Sequence, residues 1–131
     1  DLYPTLIDVA ALPAQPHPHR KLEGHSLVSL LKDPPNGQWS GPAVALTVIM
    51  NPASSDETDP VRQPYAVRSE RYRYILCPDG EEELYDHESD PNEWTNLAAS
   101  PAHAAIKRQL RDEMEKLVGA TLGGATGGTR R

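Results

Sequence analysis

Apolar positions recur at helical steps near both ends of the chain, and crowd or alternate in the middle. In residues 1–12, DLYPTLIDVAAL, Leu2, Leu6, Val9 and Leu12 fall three or four apart with Ile7 beside them, which predicts a helix. Pro4 is tolerated there because a first-turn residue needs no intrahelical N–H bond. The following PAQPHPHR, from Pro13 to Arg20, reads as an extended loop. Ser26 to Lys32, SLVSLLK, predicts a short apolar helix capped by Ser26 and stopped by Asp33-Pro34-Pro35-Asn36-Gly37. Ala43 to Met50, AVALTVIM, is almost continuously apolar and predicts a strand buried on both faces.

Asn51 to Pro64 is polar and acidic and reads as a long loop, a kind that is usually functional or disordered. Tyr65–Arg68 and Arg71–Cys77 predict two short strands, or one strand interrupted at Ser69-Glu70. In the second stretch Tyr72, Tyr74 and Leu76 share one face, and Arg71, Arg73, Ile75 and Cys77 the other. Pro78-Asp79-Gly80 signals a hairpin, with Glu81 to Asp86 returning antiparallel. After a turn at Asp90-Pro91-Asn92-Glu93, Ser100-Pro101 opens the strongest helix. Ile106, Leu110, Met114, Leu117 and Val118 form its apolar stripe, with Arg108–Asp112 and Asp112–Lys116 as partners on the wet side. The predicted class is α+β: a small antiparallel sheet packed by a C-terminal helix, with short helices on the N-terminal side. Residues 1–118 form the structured part, and 119–131 a flexible Gly/Thr-rich tail.

Composition narrows the function classes. With 13 Lys and Arg against 19 Asp and Glu, the formal net charge is −6, which disfavours nucleic acid as a partner. One cysteine excludes an internal disulfide framework and a multi-cysteine zinc site. No apolar run reaches the roughly 20 residues that span a bilayer. The chain opens on Asp1 directly into a predicted helix, which suggests a fragment or a processed piece.

The residues offer little self-sufficient chemistry. Cys77 has Leu76 and Pro78 as neighbours, with no base or cation to lower its pKa, and reads as core. His17, His19 and His25 lie close in sequence but lack the spacing of a metal site, and Asp56, Glu57 and Asp59 lack the alternation of a Ca²⁺ loop. Arg68, Arg71 and Arg73 with Tyr65, Tyr72 and Tyr74 form a basic aromatic cluster that suits an anion. The competing expectation is that those rings pack while the arginines pair with Glu70, Glu81 to Glu83 or Asp86. Asp86, Asp90 and Glu93 could pass for acid/base carboxylates, but their place in a Pro-containing turn fits backbone capping better.

Four ordered motifs add a family likeness. Val67 to Leu97, VRSERYRYILCPDGEEELYDHESDPNEWTNL, runs from an Arg/Tyr strand through a hairpin to ELYD, DP-x-E and NL. It resembles the C-terminal subdomain of sulfatases related to iduronate-2-sulfatase, choline sulfatase and N-sulfoglucosamine sulfohydrolase, in the alkaline-phosphatase-like superfamily. Asp1-Leu2-Tyr3-Pro4-Thr5-Leu6 resembles that family's D-x-x-P-T-L helix, and Leu22-Glu23-Gly24-His25-Ser26-Leu27 with Leu30-Leu31 its L-x-G-x-S-L…LL segment.

The likeness implies a fragment of a larger α/β sulfatase fold, whose N-terminal catalytic domain is the partner and whose substrate is a sulfated carbohydrate. It implies a formylglycine nucleophile and Ca²⁺ for the whole enzyme, and a periplasmic, extracellular or lysosomal location. No catalytic or metal residue carries over: Cys77-Pro78-Asp79-Gly80 does not match the family's C/S-x-P-x-R signature. Such enzymes often place His and Arg near the pocket mouth in the loop that corresponds to 51–64. Arg62 is the sole cation there and so the one candidate substrate-binding residue if the loop reaches the pocket; the competing expectation is an ordinary exposed loop. On this reading the chain completes a fold, rims a cleft and does not catalyse alone. The rival expectation is a free-standing α+β module that binds an acidic ligand through its Arg/Tyr sheet face.

Overall fold

In the computed structural model, residues 1–13, 23–49 and 59–122 are described here. The chain divides into two compact units, 1–42 and 43–131.

The first unit holds α1 (Leu2–Val9) and α2 (Val28–Lys32). Two of the quoted motifs interlock in it. Thr5 Oγ1 donates to the Asp1 carbonyl at 2.8 Å and accepts from the Leu27 N–H at 2.9 Å. Asp1 Oδ1 accepts from the His25 N–H at 2.7 Å. Gly24 makes that approach possible: its φ is +97°, and a Cβ there would sit 2.6 Å from the Asp1 nitrogen. Helix α1 departs from expectation, because its one buried residue is Thr5. Leu2, Leu6 and Val9, the predicted stripe, are 75%, 64% and 66% exposed. The cap position of α2 is Leu27 and not Ser26, although Ser26 Oγ accepts from the Val28 N–H at 3.3 Å. Asp33 ends the helix, its carbonyl accepting from the Asn36 and Gly37 N–H groups at 3.2 and 2.6 Å.

The second unit is a four-stranded antiparallel meander, β1 (Ala45–Val48), β2 (Tyr65–Arg68), β3 (Tyr72–Leu76) and β4 (Glu82–Asp86), in that spatial order. The Ser69-Glu70 break is therefore a turn between two strands: Ser69 Oγ donates to the Tyr72 carbonyl at 3.1 Å and accepts from its N–H at 2.9 Å. The Pro78-Asp79-Gly80 hairpin forms as predicted, Gly80 taking a φ of +90°. Helix α3 (Ala104–Val118) lies on the sheet.

Period-two alternation directs Val67, Tyr74, Leu76 and Leu84 to one face, where they pack with Leu110 and Met114 of α3 and with Leu122. Each such side chain contributes roughly 1.5–3 kcal/mol by leaving water. Past Gly119, in the left-handed conformation at φ +75°, Leu122 stays docked. Its carbonyl accepts from Arg111 at 2.6 Å and its N–H donates to Glu115 at 3.0 Å. The expected tail beyond it, 123–131, lies outside the described residues.

Three expectations for this unit are corrected. The apolar stretch 43–50 forms a strand only over 45–48, at the sheet edge, with all four residues exposed. An edge strand is flanked on one side only, and the side chains of β1 stay open to solvent. At the start of α3 a 3₁₀ turn, Pro101–His103, intervenes, and the Ser100 hydroxyl pairs with His103 Nδ1 at 3.0 Å without capping a backbone N–H. The ion pairs within α3 are Arg111–Glu115 and Lys116–Glu113, in place of the Arg108–Asp112 and Asp112–Lys116 pairs. Among the described residues no helix is long and apolar enough to cross a membrane.

Candidate functional site

The basic aromatic cluster lies on β2 and β3 and meets carboxylates from β4 and the turn after it. Arg71, the residue just before β3, lies beside the end of β4, because β3 and β4 pair Tyr72 with Asp86. Its guanidinium grips Asp86 through Nε at 2.8 Å and Nη2 at 2.7 Å, reaches Glu88 at 2.5 Å and lies 5.0 Å from the Tyr72 ring centre. A bidentate fork is the strongest form of such a pair. With the Glu88 N–H also donating to it at 3.2 Å, Asp86 is held down to a pKa of about 2, the Arg71 bond being the main cause.

Arg73 is held by Glu93 at 2.9 and 3.2 Å, and His87 Nε2 shares the same carboxylate at 2.5 Å. Glu93 sits at a φ of +58°, unusual for a residue with a side chain. Burial raises its pKa, but the His87 and Arg73 bonds outweigh that and leave it lowered.

On the α3 side, the buried Tyr74 hydroxyl donates to Glu82 at 2.6 Å, and Lys107 of α3 donates to the other oxygen at 2.7 Å. Glu82 is thereby lowered, against the upward push of its burial, while burial above all pushes the Tyr74 phenol well up. Asn96 fastens the segment before α3 to β4: its Oδ1 accepts from the Leu84 and Ala98 N–H groups at 3.1 and 2.9 Å, and its Nδ2 donates to the Glu82 carbonyl at 3.1 Å. Asp90 Oδ2 accepts from the Thr95 N–H at 2.8 Å, the main reason its pKa is lowered.

These contacts decide what the motif residues can do. Of the proposed acid/base trio, Asp90 caps backbone, Asp86 serves Arg71 and backbone, and Glu93, expected to cap backbone, binds two side chains instead. Each is committed to holding the turn; the fork of Arg71 is filled from within, and Arg73 is held through Nη1. The expected pairing of Arg71 with Asp86 is present; Arg73 pairs instead with Glu93, which was not among its expected partners and lies 20 residues on, beyond the reach of local spacing.

Cys77 is half-buried, its thiol pushed up first by burial and then by Asp79, Glu83 and Glu81, the reverse of what a nucleophile needs. Arg62 ends the 3₁₀ turn Pro60–Arg62, its Nε 3.1 Å from Asp59 and its side chain 62% exposed. Among the described residues no group of His, Cys, Asp and Glu side chains could hold a metal ion. His25 packs its ring edge on Trp39, while His17, His19, Asp56 and Glu57 lie outside the described residues.

A profile of the family described as N-sulphoglucosamine sulphohydrolase, C-terminal, matches residues 1–120. The chain belongs to that family. A sulfatase from Formosa agariphila is 33% identical over 97 residues, which cover 74% of this chain and 16% of that protein. Among solved structures, a 2-O GAG sulfatase superposes with a TM-score of 0.65 at 29% identity, over 91% of this chain and 24% of its own. The phosphonate monoester hydrolase of Agrobacterium radiobacter does so with 0.65 at 25% identity, over the same shares. The chain thus spans a quarter or less of the proteins it matches. As a sulfatase C-terminal subdomain it has the expected sheet and helix, and its family motifs coincide with the contacts that clamp the fold: Asp1 and Thr5 on 24–27, Asn96 on β4, and Asp86 on Arg71.

Proposed function

We propose that the chain is the C-terminal part of an enzyme that hydrolyses sulfate esters on a carbohydrate, completing the fold of a catalytic domain and rimming its cleft. The family match over residues 1–120 carries this reading, and the GAG sulfatase among its structural neighbours supports a sugar substrate. The uncovered apolar residues of α1, and of the edge strand β1, support a larger body packing on this chain. The nucleophile, which the family derives as formylglycine, and the Ca²⁺ ligands belong to that catalytic domain; no described residue here fits either role. Arg62, exposed and cationic, is the residue we assign to an anionic group of the substrate.

The test is an assay of the whole encoded protein on an aryl sulfate, a sulfated sugar and a phosphonate monoester, the last because one neighbour hydrolyses that class. Release of sulfate is the expected result. Turnover of the phosphonate alone would overturn the substrate assignment.

A further inference from the structure

Arg68 closes β2 on the sheet face away from α3, since the alternate residue Val67 points into the core. The register places it opposite Ala45 on one side and Arg73 on the other. Two like charges directly opposed in a sheet repel. Glu93 answers one of them, Arg73, and is shared with His87. Arg68 itself has no carboxylate among the described residues, and its Nη1 is closed off from water with no acceptor. Lys32 and Arg108, the other described cations without an acidic partner, are exposed, and water serves them. The enclosed Nη1 is out of reach of an outside group, but the rest of this half-buried guanidinium is a charge with no opposite charge beside it among the described residues, which is costly, and native proteins pair such groups. The surface beside it is small and mainly apolar: Ala45, Thr47 and Ile49 all stand exposed along β1 and its extension.

We infer that Arg68 is one half of an ion pair whose carboxylate is an Asp or Glu of the catalytic domain, seated on this face of the sheet. The inference rests on the reading proposed above and adds a specific contact to it. A fixed guanidinium beside exposed small side chains suits a packed protein segment that brings one acid. A carboxylate can take the Nε–Nη2 edge bidentately, as Asp86 takes that of Arg71.

The test compares Arg68→Met and Arg68→Lys with the wild type in the whole encoded protein, reading the thermal midpoint and the kcat/KM on a neutral aryl sulfate and on a sulfated uronic-acid sugar. Arg68→Met strands the carboxylate, so its midpoint falls by about 5 °C or more, and Arg68→Lys falls by less. Both substrates change by the same factor. An unchanged or raised midpoint for Arg68→Met overturns the ion pair. A steady midpoint with a selective loss on the uronic-acid substrate overturns the source, since the anion is then the substrate's own. Should Arg68→Met not fold, Arg68→Lys decides: a wild-type midpoint contradicts the pair. If the whole protein releases no sulfate and yet Arg68→Met lowers the midpoint, the functional reading fails and the ion pair stands.

Discussion

Replacing Tyr74 by Phe removes one hydroxyl and nothing else from the centre of the sheet. The ring is fully buried, and its oxygen donates to Glu82 at 2.6 Å. A hydrogen bond to a charged acceptor contributes about 1.5–3 kcal/mol. Glu82 keeps Lys107 at 2.7 Å and Arg111 at 3.6 Å, so the carboxylate is not stranded and the lower end applies. The expected loss is therefore about 1.5 kcal/mol, or roughly 6–12 °C in the midpoint of a small domain. Tyr85→Phe is the control. Its hydroxyl donates to Glu83 at 2.8 Å, two positions back on the same strand and half open to water, so its loss is expected to stay below about 0.5 kcal/mol. Equilibrium urea denaturation followed by far-UV circular dichroism at pH 7 separates the two. Equal losses would refute the reasoning that burial, more than bond count, gives the Tyr74 contact its strength.

Further outcomes follow from the same clamps. Asp86, with a pKa of about 2, and Glu82, Asp90 and Glu93, all lowered, bind protons more weakly folded than unfolded, so their stabilisation is complete above about pH 4.5 and drains away as pH falls toward 2. An acid titration of the unfolding midpoint reads this, and Asp86→Asn is expected to flatten it. Gly24→Ala drives a Cβ to 2.6 Å from the Asp1 backbone at a φ closed to most side chains; loss of slow exchange at the His25 and Leu27 amides is the expected readout. Arg62→Ala is expected to leave the melting curve within about 0.5 kcal/mol of wild type, since its pair with Asp59 is exposed. The same variant in the whole enzyme is expected to lower kcat/KM on anionic sugar sulfates about tenfold.

How much was legible in the sequence depended on where each element's partner lies. The β3–β4 hairpin and α3 carry their partners within reach, so the alternation of Tyr74, Leu76 and Leu84 and the stripe of Leu110 and Met114 predict their burial correctly. The same logic misplaces 1–12 and 43–50. Their apolar residues are real, but Leu6, Val9, Leu46 and Val48 stand exposed, so a pattern that predicts burial meets solvent. Local spacing also overlooks contacts made across the fold, such as Arg73 with Glu93, and the unanswered Arg68. The motif residues were visible as a set; their work as clamps emerged only with distances. No catalytic motif was legible either, since Cys77-Pro78-Asp79-Gly80 does not match the family's signature.

Hydrogen–deuterium exchange of α1 and β1 in the 131-residue chain and in the whole encoded protein tests the central claim most directly. The account predicts that amides over 2–9 and 45–48 exchange quickly in the chain alone and are strongly protected in the whole protein, where the catalytic domain covers their apolar residues. Equal exchange in the two, with those faces open in both, would contradict it.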